Sequence, residues 1–127
     1  MNFNDYQKRA ITTNLAKDDQ FRELIQQVLG LGDEAGEVQA IFKKWIRDND
    51  ADITKLDTKN LAKELGDILW YIAVVAHDLG IALDDIATIN LEKLRSRKER
   101  GALSGSGDDR LDHPIASNRA RSVARHD

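Results

Sequence analysis

The stretch Gly30-Leu31-Gly32-Asp33-Glu34-Ala35-Gly36-Glu37-Val38 decides how this chain is read, because its central word returns thirty residues later as Glu64-Leu65-Gly66-Asp67-Ile68. Each copy carries two carboxylates three residues apart around a glycine, inside a run whose apolar residues step by three and four. That step is the signature of an amphipathic helix. Side chains at i and i+3 leave one helix face from neighbouring points, so two such helices side by side bring Glu34, Glu37, Glu64 and Asp67 together. Clustered carboxylates repel unless a cation lies between them. A hard divalent ion suits these oxygen donors: Mg²⁺, with Mn²⁺ as a substitute. Mg²⁺ held by a few carboxylates keeps waters and takes its remaining oxygens from a phosphate substrate.

Working outward, helical periodicity continues and strand alternation is absent, which makes the chain all-α. A first helix is expected from Asp5 to Ala16, offering Tyr6, Ile11 and Leu15 to a core, with Lys17 to Gln20 as a connection. The second runs from about Arg22 to Arg47 with Leu24, Val28, Leu31, Ala35, Val38, Phe42 and Trp45 as its buried stripe. After the polar break Asp48 to Asp52, Asp57 or Thr58 caps a third helix that ends at His77 or Leu79, with Gly80 just beyond. Its stripe is Leu61, Leu65, Ile68, Ile72, Val75 and Leu79. A fourth helix spans Leu83 to about Arg97, Gly101 ends it, and the Gly-Ser-rich segment 101–107 is a loop. From Leu111 onward no periodicity remains, so 111–127 is expected to be a flexible basic tail carrying Arg119, Arg121 and Arg125.

Composition sets the class. A chain of 127 residues, 41% hydrophobic and 32% charged, is long enough for one modest core and unlike a disordered chain. It contains no cysteine, which excludes disulfide and thiolate chemistry, and a zinc site would depend on three scattered histidines. A net charge of −3 gives no reason to expect nucleic-acid binding. The N-terminus lacks a basic region followed by an apolar run, and the most apolar stretch, Ile68 to Ala76, is too short to span a bilayer. A cytoplasmic protein without membrane contact is expected.

The register of the acids is informative. Glu34 and Glu37 each precede a stripe residue, Ala35 and Val38, as Glu64 and Asp67 precede Leu65 and Ile68. Both pairs therefore occupy the same shoulder of their stripes, where partial burial makes unpaired acids costly. Glycine inside a helix costs about 1 kcal/mol relative to alanine, so Gly36 and Gly66 point to close backbone approach or packing against another helix. Acidic pairs at this spacing also occur on solvated helices; matching register and matching glycines in both copies favour a built site.

Cations and aromatics supply further candidates. Asn90, Lys93 and Arg97 share a face of the fourth helix, an amide and two positive charges fit for a polyphosphate, although cations near a helix C-terminus also suit its dipole. Arg110, after the glycine-rich loop, is a candidate closing cation with Asp108 as its support, or part of a surface turn. Lys43, Lys44 and Arg47 are read as dipole partners, Lys44 being a distant ligand candidate. Trp45, Trp70 and Tyr71 offer flat walls for a base. Trp45 lies on its helix's stripe, whereas Trp70 lies outside the main stripe of the third helix and faces a base or a partner subunit. His77 is expected to be packed or at an interface.

These residues resemble the MazG-type nucleoside triphosphate pyrophosphohydrolases of the all-α kind. That family shows an E-x-x-E pair followed by an E-x-x-D pair, matched here by Glu34, Glu37, Glu64 and Asp67. Asn90-Leu91-Glu92-Lys93-Leu94 with Arg97 is similar to its third element, and Gly105 to Arg110 is similar to a loop that follows it. The resemblance covers roughly Tyr6 to Arg110, placing the domain at 1–110. It implies a four-helix bundle with an antiparallel pair of long acidic-motif helices, assembled as a homodimer or homotetramer. It also implies Mg²⁺-dependent hydrolysis of nucleoside triphosphates between the α and β phosphates, yielding monophosphate and pyrophosphate, for example in cleansing a nucleotide pool. Glu34, Glu37, Glu64 and Asp67 would be the catalytic metal ligands, with Asn90, Lys93, Arg97, Arg110 and Trp70 binding substrate. Two other readings stand beside this one: a phosphoribosyl-ATP pyrophosphohydrolase, and a non-catalytic helical assembly module.

Overall fold

The computed structural model describes residues 1–15 and 18–108, and among these it contains helices and turns but no strand. In chain order the helices are α1 (Phe3–Ala10), α2 (Gln20–Asn49), α3 (Thr58–Asp78) and α4 (Leu83–Glu99), with 3₁₀ turns at Ile11–Thr13 and Ile53–Lys55. The all-α expectation holds for the described residues. The chain divides into two compact units, Met1–Ala87 and another beginning at Thr88. Helix α4 starts in the first and continues in the second. Residues 109–127, which include Arg110 and the basic tail, lie outside the described residues.

Local chemistry explains where each helix begins and ends. Asp19 caps α2 by accepting from the Arg22 amide at 3.1 Å, and Asp57 caps α3 by accepting from the Asn60 amide at 3.0 Å. Helix α2 stops where Asp50 turns left-handed at φ 49°, followed by Ala51 at 55°. Gly80, at φ +71°, ends α3, and the Ile81 amide closes back onto the Ala76 carbonyl at 2.8 Å. Helix α4 ends in the same manner, with Gly101 at φ +68° and the Ala102 amide 2.7 Å from the Arg97 carbonyl.

Helix α1 is shorter than its periodicity predicts. Asn2 and Asp5 form a capping box that starts it at Phe3. The hydroxyls of Thr12 and Thr13 donate to the carbonyls of Arg9 and Ala10 at 2.6 and 2.7 Å, and the chain tightens there into the 3₁₀ turn.

Within the first unit, Ala10, Ala73 and Leu83 form the buried cluster, with Tyr6, Trp70, Ile72 and Ile86 packed around it. A polar clamp sits beside them. The buried Gln7 amide donates to the carbonyls of Ala73 and Ile81 at 3.1 and 3.0 Å, and its oxygen accepts from the Leu83 amide at 3.1 Å. Asn4 accepts from the Asp84 amide at 3.0 Å. Side chains of α1 thus satisfy backbone donors at the start of α4 that would otherwise be orphaned.

Helix α2 behaves differently from its expected buried stripe. Its principal packing partner is α3, yet the one residue it buries fully is Gln27. Val28 remains 50% exposed, and Phe21, Ile25, Leu29 and Ile46 are also open. The described residues cover only part of the apolar surface this helix carries.

Candidate metal centre

Helices α2 and α3 meet along the acidic words. Glu34 from α2 and Glu64 and Asp67 from α3 each present a carboxylate oxygen, and these oxygens lie within 4.8 Å of one another. Glu34 and Glu64 are half-buried and Asp67 is exposed. Glu64 and Asp67 share a helix face because they are three apart, whereas Glu34 reaches them through the packing of α2 on α3. That packing is set one turn away, where Tyr71 lies directly over Gly30, and a Cβ at Gly30 would run into the edge of the tyrosine ring. The close backbone approach anticipated at Gly36 and Gly66 therefore occurs at Gly30. Among the described residues, a Cβ at Gly32, Gly36 or Gly66 would meet open space.

The electrostatics are those of acids held close together. Partial burial and then the charges of Asp67, Glu64, Asp33 and Glu37 hold the Glu34 carboxyl above its ordinary range. Burial and then Asp67 push the Tyr6 phenol upward as well. Three convergent carboxylates, with Glu34 resisting ionisation in their midst, fit a hard divalent cation by the chemistry of their donors. Glu37 is exposed and stands outside the group of three, although its charge is felt at Glu34. Tyr6 is the neighbour that periodicity alone identified only as core.

Beside Tyr71, still within the first unit, a cleft of about 280 Å³ is lined by Asn14, Glu23, Gln27, Trp70 and Tyr71, among others. The two aromatic rings meet edge to face at 4.9 Å. Glu23 accepts from the side chains of Asn14 and Gln27 at 3.1 and 3.3 Å. The Gln27 side-chain oxygen is buried without a hydrogen-bond donor. Trp70 is tied to the fold, because its Nε1 donates to the Thr13 hydroxyl at 2.8 Å and its ring packs on the buried cluster. His77, expected to be packed or at an interface, is exposed in the single chain and lines a larger cleft of about 590 Å³ with Asn14, Phe21 and Asp78. Trp45 is anchored by donating to the Asp52 carbonyl at 2.7 Å.

In the second unit, Asn90 is exposed, Lys93 is half-buried and Arg97 is buried. Lys93 and Arg97 both contact Asp108, at 3.0 and 3.1 Å. Arg110, read as a closing cation, lies outside the described residues.

Comparison with known proteins shows the family of this chain. The model of the MazG nucleotide pyrophosphohydrolase domain matches residues 25–101, more than half of the chain and the whole of both acidic words. The chain belongs to the MazG family. It is also similar to the Gene 37 protein of Mycobacterium phage L5, 44% identical over 92 residues, which are 72% of this chain and 81% of the phage protein. No solved structure matches it. Among the described residues of this MazG-family chain, no helix is long and apolar enough to cross a membrane. The first acidic word supplies Glu34 and the second Glu64 and Asp67 to one carboxylate cluster.

Proposed function

We propose that this protein is a Mg²⁺-dependent nucleoside triphosphate pyrophosphohydrolase, cutting between the α and β phosphates of ribo- or deoxynucleoside triphosphates in the cytoplasm and cleansing the nucleotide pool. The observation that carries this reading is the convergence of Glu34, Glu64 and Asp67 from two helices in a MazG-family chain. Glu34, Glu37, Glu64 and Asp67 would hold the ion, Mn²⁺ serving in its place. When bound, the ion supplies charge neutralisation and Lewis-acid polarisation of phosphate oxygens. The protein's own contribution is positional: α2 and α3 hold the acids on one face, and a carboxylate there accepts a hydrogen bond from the attacking water. The cleft beside Tyr71 offers aromatic and amide groups to the base, and the third element on α4, Asn90, Lys93 and Arg97, contacts phosphate, with Arg110 as a further cation. Trp70 serves the base site by holding Tyr71 and the 3₁₀ turn in place.

The working domain spans 1–110 and the tail 111–127 follows it. Gly30 and Glu34 on α2 lie beside Tyr71 and then Glu64 and Asp67 on α3. A partner position that falls as the α2 position rises supports an antiparallel pair. The exposed apolar residues of α2 support assembly into a homodimer or homotetramer.

Phosphorus NMR of products from a panel of nucleoside triphosphates, with and without chelator, tests the reading. Monophosphate and pyrophosphate, lost on chelation, are expected. Diphosphate with orthophosphate would overturn the α–β assignment. Turnover confined to phosphoribosyl-ATP would move the protein to that reaction, and absence of turnover on every substrate would favour a non-catalytic module.

A further inference from the structure

Lys93 and Arg97, one turn apart on α4, converge on a single oxygen. Asp108 Oδ1 lies 3.0 Å from Lys93 Nζ and 3.1 Å from Arg97 Nη2. Arg97 Nη2 also donates to the carbonyls of Gly107 at 3.1 Å and Asp108 at 2.8 Å. The burial of these groups is lopsided: the Arg97 side chain is 7% exposed and the Asp108 side chain 78%. Arg97 Nε is buried and has no acceptor. A finished structural ion pair satisfies the donors of a buried guanidinium; this one leaves a donor unmet.

We propose that Asp108 is a built-in competitor: Lys93 and Arg97 form an oxyanion seat, Asp108 fills it in the resting chain, and a phosphate-class ligand displaces it. The inference deepens the proposed reaction and rests on it for taking the ligand to be a phosphate. The physical argument is one of exchange. Asp108 brings one charge and shares one oxygen between two cations, whereas a phosphate brings more charge and several acceptor oxygens, enough to meet the ammonium and the guanidinium separately. The exchange keeps the buried Arg97 guanidinium paired throughout, because the ligand's oxygens take the place that the exposed Asp108 carboxylate leaves. The segment that carries Asp108 has positive φ at Gly101, Gly105 and Gly107, conformations that glycine leaves without strain. Lys93 first, and then Arg97, hold the Asp108 carboxyl below its usual range, so the competitor stays charged at neutral pH.

The test uses the full chain and inorganic pyrophosphate, titrated calorimetrically without divalent ions so that the cations alone are probed. Asp108→Asn is expected to bind pyrophosphate about three- to tenfold more tightly than the parent, the scale set by removing one competing charge from beside two cations. Lys93→Gln in the Asp108→Asn background should cancel that gain. Equal or weaker binding by Asp108→Asn would overturn the proposal, and so would unchanged exchange of amides 101–108 when the parent meets pyrophosphate, because neutralising Asp108 strengthens anion binding by charge alone whereas displacement frees the segment. Should Asp108→Asn fail to fold, hydrogen exchange of the parent decides: faster exchange of amides 101–108 on adding pyrophosphate supports displacement, and unchanged or slower exchange overturns it. Nucleotide turnover is scored separately. Turnover without the affinity gain removes the competitor and leaves the reaction standing; the gain without turnover does the reverse.

Discussion

Glu34 concentrates the chemistry of the first unit, because it is the acid that α2 contributes to the cluster completed by Glu64 and Asp67. Replacing any of the three by its amide, Glu34→Gln, Glu64→Gln or Asp67→Asn, is expected to lower kcat/KM by about a hundredfold or more while leaving helical circular dichroism intact. Retention of parental activity by all three would remove the cluster from the reaction. The raised position of Glu34 makes a second prediction. A carboxyl whose native pKa exceeds its unfolded value opposes folding once ionised. In metal-free protein this contribution is absent at pH below the unfolded value. Stability then declines as pH rises towards the raised native value, and levels off above it. Urea midpoints across that interval should fall less steeply for Glu34→Gln, and less steeply for the parent with Mg²⁺ present. Identical slopes in all three samples would show that Glu34 does not carry the effect. Helical spacing alone revealed these acids and their shared face. It did not reveal that Glu37 would stand apart from the other three, nor that Tyr6 would approach Asp67, since both depend on how helices distant in sequence are rotated against each other.

At the level of elements, Gln7 joins α1, the end of α3 and the start of α4 through three hydrogen bonds. Gln7→Ala leaves the buried Leu83 amide without its acceptor and is expected to cost about 1–3 kcal/mol, read from the urea unfolding midpoint. A loss below the error of that measurement would mean that water replaces the side chain. The glycines give a paired test. Gly36→Ala and Gly66→Ala meet open space and should gain up to about 1 kcal/mol of helix propensity. Gly30→Ala should instead lose about 1–3 kcal/mol before that gain, because the Tyr71 ring must swing away. Equal effects at all three positions would contradict the Tyr71 contact. Most helix boundaries were legible because their causes are local: Asp57 as a cap, and Gly80 and Gly101 after the ends of α3 and α4. Helix α1 was not, since threonine hydroxyls that compete for Arg9 and Ala10 carbonyls convert apparent periodicity into a 3₁₀ turn.

For the whole molecule, the exposed residues Phe21, Ile25, Leu29 and Ile46 leave α2 with apolar surface that the described residues do not cover. Light scattering at working concentration is expected to give at least a dimer, and Leu29→Arg, which places a charge at a residue 69% exposed in the single chain, should shift the mass downward. A monomer for the parent would sink the assembly proposal. A dimer unaffected by Leu29→Arg would place the interface elsewhere.

What the amino-acid sequence determined by itself was the helical class, the repeated acidic word and the acids on each helix face, because 3.6-residue periodicity and capping act over a few residues. Tertiary structure decided which acids meet, which glycine admits a neighbour and which cations are already occupied. Those outcomes depend on the axial shift and rotation of one helix on another, as with Gly30 under Tyr71, and on a segment folding back, as with Asp108 onto Lys93 and Arg97. Both are set by contacts between residues far apart in the chain, beyond the reach of any local pattern.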